Sequence, residues 1–294
     1  MASVYTHQGS NIAKTYFLMA VFFAVVLTVG YFVATYYQAP ELLYIAIFFS
    51  LFMNVLSYWF SDKIILSISK AREANRKEFF DLYTLTENLA ITAGLPMPKI
   101  YVIEDQAPNA FATGRNKDHA VVAVTTGLLQ RLERDELEGV IAHELSHIGN
   151  RDILLMSAVV VLVGLLSILS DMFLRGFALG DRRDNNRGGG VLAIVGLVLI
   201  VLSPIIATLI KLAISRRREF LADASGALLT RYPEGLAKAL EKISTYNAPM
   251  KSAHTATAHL FIANPFGGSK ASISNLFATH PPAEERIKIL RNMN

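Results

Sequence analysis

Two uncharged apolar runs stand almost back to back near the start of the chain, Tyr16 to Tyr37 and Leu42 to Phe60, with only QAPE between them. At about 1.5 Å per residue in a helix, each is long enough to cross a hydrocarbon core of about 30 Å. The first run lacks a small-residue cleavage site and leads at once into the second, so the pair is expected to be a membrane hairpin and not a removed leader. Two further uncharged runs, Ile153 to Ser170 and Val191 to Ile210, flank the glycine-rich polar link GDRRDNNRGGG. These are expected to form a second hairpin; the alternative is the buried core of a soluble domain. Only 18% of residues are charged, against about 25% in a typical soluble domain, which favours lipid.

The basic residues decide orientation. Lys63, Lys70, Arg72, Arg76 and Lys77 follow the second run, and Lys211, Arg216, Arg217 and Arg218 follow the fourth, whereas the link of the first hairpin carries only Glu41. By the positive-inside tendency, the N-terminus, residues 61–152 and the region after residue 211 face the cytoplasm. Arg182, Arg183 and Arg187 in the second link argue mildly against its export, beside Asp181 and Asp184. The net charge of +4 thus reflects membrane flanks, and no nucleic-acid partner is expected. The absence of cysteine excludes disulfides, thiolate ligands and a cysteine nucleophile, so any metal must be held by His, Asp or Glu.

The polar regions are expected to be mostly helical with a small sheet. Ala71 to Thr92 has the pattern of an amphipathic helix stopped by Gly94. KIYVIE, NAFATG and HAVVAVT are short strand candidates, and Asp135 is expected to cap the helix that follows. PEGLAKALEKIS and PPAEERIKILRNM should form two more helices.

That capped helix contains HELSH at residues 143–147, the H-E-x-x-H pattern. His143 and His147 project from one helical face, where both imidazoles can reach one ion. Glu144 lies about 100° around the helix, positioned to take a proton from a water at the metal. A catalytic zinc site needs a third protein ligand and an open position. Just after the fourth apolar run, RRREFLADASG places Glu219 and Asp223 four apart. In one reading Glu219 binds the metal, and Asp223 accepts a hydrogen bond from the distal nitrogen of a ligand histidine, His143 being the expected partner. In the other, the two acids form an exposed pair balancing Arg216 to Arg218. An even number of membrane crossings between His147 and Glu219 would return the chain to the side it left, as a shared ion requires.

HELSH followed by REFLAD, with NAFA upstream and THPPAEERI near the C-terminus, resembles the HtpX-type membrane metalloproteases, relatives of the CAAX prenyl proteases in the gluzincin clan. The likeness covers nearly the whole chain. It implies a mainly α membrane protein: four transmembrane helices plus a small α+β gluzincin-like zinc protease domain. The parts would be an N-terminal hairpin (1–62), a cytoplasmic protease domain (63–152 and 211–294) and a second hairpin inserted in it (153–210).

The resemblance further implies one zinc ion per chain, held by His143, His147 and Glu219, with Glu144 as general base. It makes His280 a second stabiliser of the oxyanion; otherwise His280 caps the terminal helix. Asn109 to Gly114 or Ala120 to Val124 could be a sheet edge that binds extended peptide, and the resemblance favours Asn109 and Ala110; Arg286, in the same region as His280, either binds or orients a carboxylate or makes a surface salt bridge. His254 and His259 are expected in a surface loop. The implied function is an endopeptidase of the bacterial plasma (inner) membrane that cleaves cytoplasmic parts of misfolded membrane proteins and unfolded polypeptides under stress. A processing protease for lipidated C-termini and a non-catalytic adaptor with a structural zinc are the alternatives. The intact Glu144 argues against the adaptor.

Overall fold

The computed structural model describes residues 4–165, 215–267 and 281–293. Helices α1 (Val4–Tyr37) and α2 (Glu41–Ile68) form the expected antiparallel hairpin, and both are long and apolar enough to cross a membrane. They cross closely: a Cβ on Gly30 of α1 would collide with that of Ala46 on α2, the small-residue contact by which helices associate in lipid. Their outer faces leave Phe17, Phe32, Phe48, Leu51 and Val55 exposed, an apolar surface that only lipid would cover. Tyr36, Tyr37 and Tyr44 gather at one end and Trp59 at the other, as interfacial aromatics do.

The third apolar run begins as helix α6 (Asp152–Leu165), which leaves the preceding helix α5 (Arg134–Gly149) at 84°. The rest of that run and the whole of Val191 to Ile210 lie outside the described residues. Among the described residues two helices are long and apolar enough to span, and a third span is present if the bent pair α5 and α6 makes one. Leu155, Val159 and Leu162 of α6 pack on Leu18, Phe22 and Val25 of α1, so α6 ties the membrane hairpin to the rest of the chain.

Four strands form a mixed sheet in the order β1-β2-β4-β3: β1 (Ala71–Glu73), β2 (Lys99–Ile103), β3 (Ala110–Gly114) and β4 (Ala120–Thr125). The pair β2/β4 is parallel and the other two are antiparallel. The three expected strands are present. The expected helix over Ala71 to Thr92 is not: β1 pairs with β2, and helix α3 runs only over Phe80–Ala93. The first nine residues of that stretch, AREANRKEF, supply no helical apolar stripe, whereas Leu82, Leu85 and Leu89 do and are buried. Gly94 ends α3 in the left-handed region at φ 64°, as a C-terminal glycine does.

Short helix α4 (Thr126–Arg131) leads to α5. Its cap is Glu133, not Asp135: the Glu133 carboxylate accepts from the backbone N–H three residues on, and Glu136 reaches back to Glu133 N at 2.8 Å, a capping box. Helices α7 (Arg216–Thr230), α8 (Pro233–Ser244) and α9 (Ala283–Arg291) complete the described chain. Ala112, Val122 and Val124 of the sheet, Val140, Ile141 and Leu145 of α5 and Leu236 and Leu240 of α8 share one core. The helix carrying HELSH thus lies between the sheet and the C-terminal helices.

Candidate metal centre

Burial on every side turns the α5 motif into a site. His143 and Glu144 are 1% exposed and His147 is 3% exposed; polar groups so placed must find partners. The histidine rings meet edge to face with Nε2 atoms 3.2 Å apart. Helix α7 supplies the third group. Gly226 lets it approach α5, since a Cβ there would stand 3.1 Å from His143 N. Glu219, in the first turn of α7 where a helix favours negative charge, puts Oε2 3.7 Å from His143 Nε2 and Oε1 3.6 Å from His147 Nε2. Donors on a tetrahedron of about 2.0–2.2 Å radius lie about 3.3–3.6 Å apart. The three side chains fit one tetrahedral ion.

Each histidine is backed by its own carboxylate. His143 Nδ1 is 2.9 Å from Asp223 Oδ1, a charge contact whose N–H is not well aligned on the oxygen. Asp223 accepts two hydrogen bonds from Arg286 of α9, at 2.6 and 2.8 Å. Burial alone would raise the Asp223 carboxyl, but Arg286 and His143 outweigh it and hold it at about 2. Burial pushes His143 down, against the opposing pull of Asp223. On the other side, His147 Nδ1 lies 2.9 Å from Asp152 Oδ2. Burial opposes charge on His147 too, but Asp152 and Glu219 prevail and raise it to about 9 in the metal-free protein.

Glu144 is the remaining buried acid of the motif. Desolvation, helped by Glu219 and opposed by His147, lifts it to about 7, and the Ala112 backbone N–H of β3 binds it. A carboxylate poised near neutrality suits proton transfer.

The comparisons with known proteins agree with this geometry. The model of "Peptidase family M48" matches residues 76–294. The chain belongs to peptidase family M48. Among its relatives, a protease HtpX homolog of Caldanaerobacter subterraneus subsp. tengcongensis is 47% identical over 99% of this chain and 98% of the relative. Another, from Thermococcus kodakarensis, is 46% identical over 95% of each. The crystal structure of S. mikatae Ste24p shares the fold, with a TM-score of 0.51 and 19% identity, over 95% of this chain and 64% of that one. Family and metal site make the chain a metalloprotease, and α1 and α2 make it a membrane one.

In this M48 peptidase, His143, Glu144, His147, Glu219 and Asp223 lie together, and Glu219 and Asp223 are buried there and do not form an exposed acidic pair. Arg286 is 1% exposed, and the carboxylate it orients is that of Asp223, so it stands behind the site as a buried partner. Asn109 is also buried, and its amide clamps the backbone of Ala263: Nδ2 donates to Ala263 O at 3.0 Å and Ala263 N donates to Oδ1 at 3.2 Å. Ala110 O accepts from Ile262 N. His254 is exposed, as a surface-loop residue would be, but His259, expected in the same loop, is 4% exposed with Nε2 3.3 Å from Met156 O. His280 lies outside the described residues. Asp152 and its neighbour Asn11 had not been singled out as site residues. The only sequence signal for them is a polar residue at the edge of each apolar run.

Proposed function

We propose that this chain is a zinc endopeptidase of the bacterial plasma membrane, with its catalytic side facing the cytoplasm, cleaving exposed cytoplasmic parts of misfolded membrane proteins and other unfolded polypeptides. The observation that carries the reading is the buried His143–His147–Glu219 triangle, built from two helices, with Glu144 beside it. Zinc held there would lower the pKa of a water toward about 7 and polarise a substrate carbonyl. Glu144 takes the proton of the attacking water and returns it to the leaving amine. Asp223 and Asp152 keep each imidazole's distal nitrogen protonated and its ring aimed. His280 is proposed as the second donor to the developing oxyanion.

Edge strand β3 is the edge on which an extended substrate would pair, in exchange for the partners that its buried outward groups already hold. Ile262 N reaches Ala110 O, and Ser157 Oγ accepts from Gly114 N at 3.3 Å. Alternate residues of β3 thus turn away from β4. Ala112 is the middle one and sits against Glu144. A peptide pairing with this edge by main-chain bonds would be read with little sequence preference and would carry its scissile bond past Glu144. The proposed layout keeps the hairpin 1–62, a protease domain of 63–152 and 211–294, and a second hairpin, 153–210, for four spans in all. The basic residues that follow the second and fourth apolar runs support the cytoplasmic assignment.

The test is casein hydrolysis by the detergent-purified full chain: the proposal requires loss with a chelator and recovery with zinc. Chelator-insensitive cleavage contradicts it. In proteoliposomes of known orientation, only substrate tails on the side of the basic loops should be cut.

A further inference from the structure

We infer that the N-terminal membrane helix is part of the metal centre, with Asn11 a positioning residue that fixes His147 through Asp152. The inference rests on the ligand set proposed above and extends it to a residue 136 positions upstream of His147.

Asn11 is 4% exposed, two residues inside the apolar span Gly9–Tyr37. An amide there is costly unless its hydrogen bonds are made. Both of its N–H groups are used. Asn11 Nδ2 donates to Asp152 Oδ1 at 2.7 Å and to Asn150 O at 3.2 Å. Its donor capacity is therefore full. Those two acceptors straddle the bend where α5 gives way to α6, and Arg151 between them takes the left-handed φ of 58°. One side chain on α1 thus pins both sides of an 84° corner.

The other oxygen of the same carboxylate, Asp152 Oδ2, holds His147 Nδ1 at 2.9 Å. With one oxygen anchored by Asn11, the carboxylate cannot rotate freely about its own axis, and the direction of the second oxygen is set. Arg218 of α7 stands 3.7 Å from Oδ1, a weaker, longer contact that balances the charge but does not fix the angle. The packing of Leu18 and Phe22 against Leu155 and Val159 carries α1 alongside α6 from this point on. A displacement of α1 would thus be felt at a metal ligand.

Zinc dissociation constants, measured on the full-length detergent-solubilised protein by competition with a chromophoric chelator, test this directly. Asp152→Ala should weaken zinc binding about 10–100-fold, as loss of a ligand's carboxylate partner does. Asn11→Ala, one step further out, should weaken it about 3–10-fold. The double variant should bind little weaker than Asp152→Ala alone and far short of the product of the two single losses, because Asn11 reaches His147 chiefly through that carboxylate. Thr28→Val, an exposed position on the same helix, should bind as the wild type does. Wild-type affinity in Asn11→Ala, or a double variant showing the product of the two single losses, overturns the inference. Should Asn11→Ala fail to fold, Asn11→Ser takes its place: it keeps a polar group too short to reach Asp152, and the same weakening is required. Failure of the ligand set itself looks different, as Glu219→Ala would then bind zinc like the wild type.

Discussion

The two histidines of the metal site sit one turn apart on one helix and are equally buried, yet their supports come from opposite ends of the chain. His143 is backed by Asp223, a residue of the helix that also carries Glu219, and Asp223 is locked by Arg286 near the C-terminus. His147 is backed by Asp152, at the corner where the same helix turns toward the membrane segments, and Asp152 is held by the neutral amide of Asn11. The supports also differ in where the positive charge rests. On the first side it stays on Arg286, so Asp223 is ionised down to about 2, while burial pushes His143 below its ordinary value. On the second, His147 itself takes up the charge and is raised to about 9 while no metal is bound. One half of the site is a preformed charge lattice within the polar domain. The other answers to the membrane helix.

Breaking the lattice should be the costlier injury. Arg286→Met leaves the Asp223 carboxylate buried without its partner, and chemical denaturation should show a loss of about 3–5 kcal/mol. A change below about 1 kcal/mol would mean that the Arg286–Asp223 pair is not what holds α9 to α7. Next come the carboxylates themselves. Asp223→Asn and Asp152→Asn should each lower zinc affinity about 10–100-fold, but Asp223→Asn should lower stability more, because Arg286 is bonded to Asp223 at 2.6 and 2.8 Å whereas Arg218 stands 3.7 Å from Asp152. Equal stability losses would erase the distinction between the two sides. The smallest effect belongs to a charge cluster far from both. Arg291 bonds Glu234 and Glu241 on the surface, and Arg291→Ala should leave the denaturation midpoint and zinc affinity close to those of the wild type.

What could be read in the sequence follows the same division. HELSH and the Glu219–Asp223 pair show themselves because helical geometry brings residues three or four apart onto one face, a local rule. The strands β2, β3 and β4 show themselves by their β-branched and aromatic runs. Strand β1 does not, because two of its three residues, Arg72 and Glu73, are charged and exposed, and Ala71 alone is partly buried against the core. Arg286 looks in sequence like any charged residue of a terminal helix; only packing against Asp223 buries it. Asp152 looks like the polar residue before an apolar segment, and Asn11 like a stray amide at the start of one. Their meaning lies in a contact between residues 141 apart in sequence, which periodicity cannot express. The cap of α5 shifted from Asp135 to Glu133 for a related reason, since Lys242 of α8 holds Glu136 at 2.7 Å in the reciprocal arrangement.

Zinc content and casein hydrolysis measured together on Glu144→Gln and Glu219→Ala probe the centre of this account. Glu144→Gln should retain about one zinc per chain and lose at least about a hundredfold in hydrolysis, whereas Glu219→Ala should lose both metal and activity. Normal zinc occupancy in Glu219→Ala, or near-normal hydrolysis in Glu144→Gln, would contradict it.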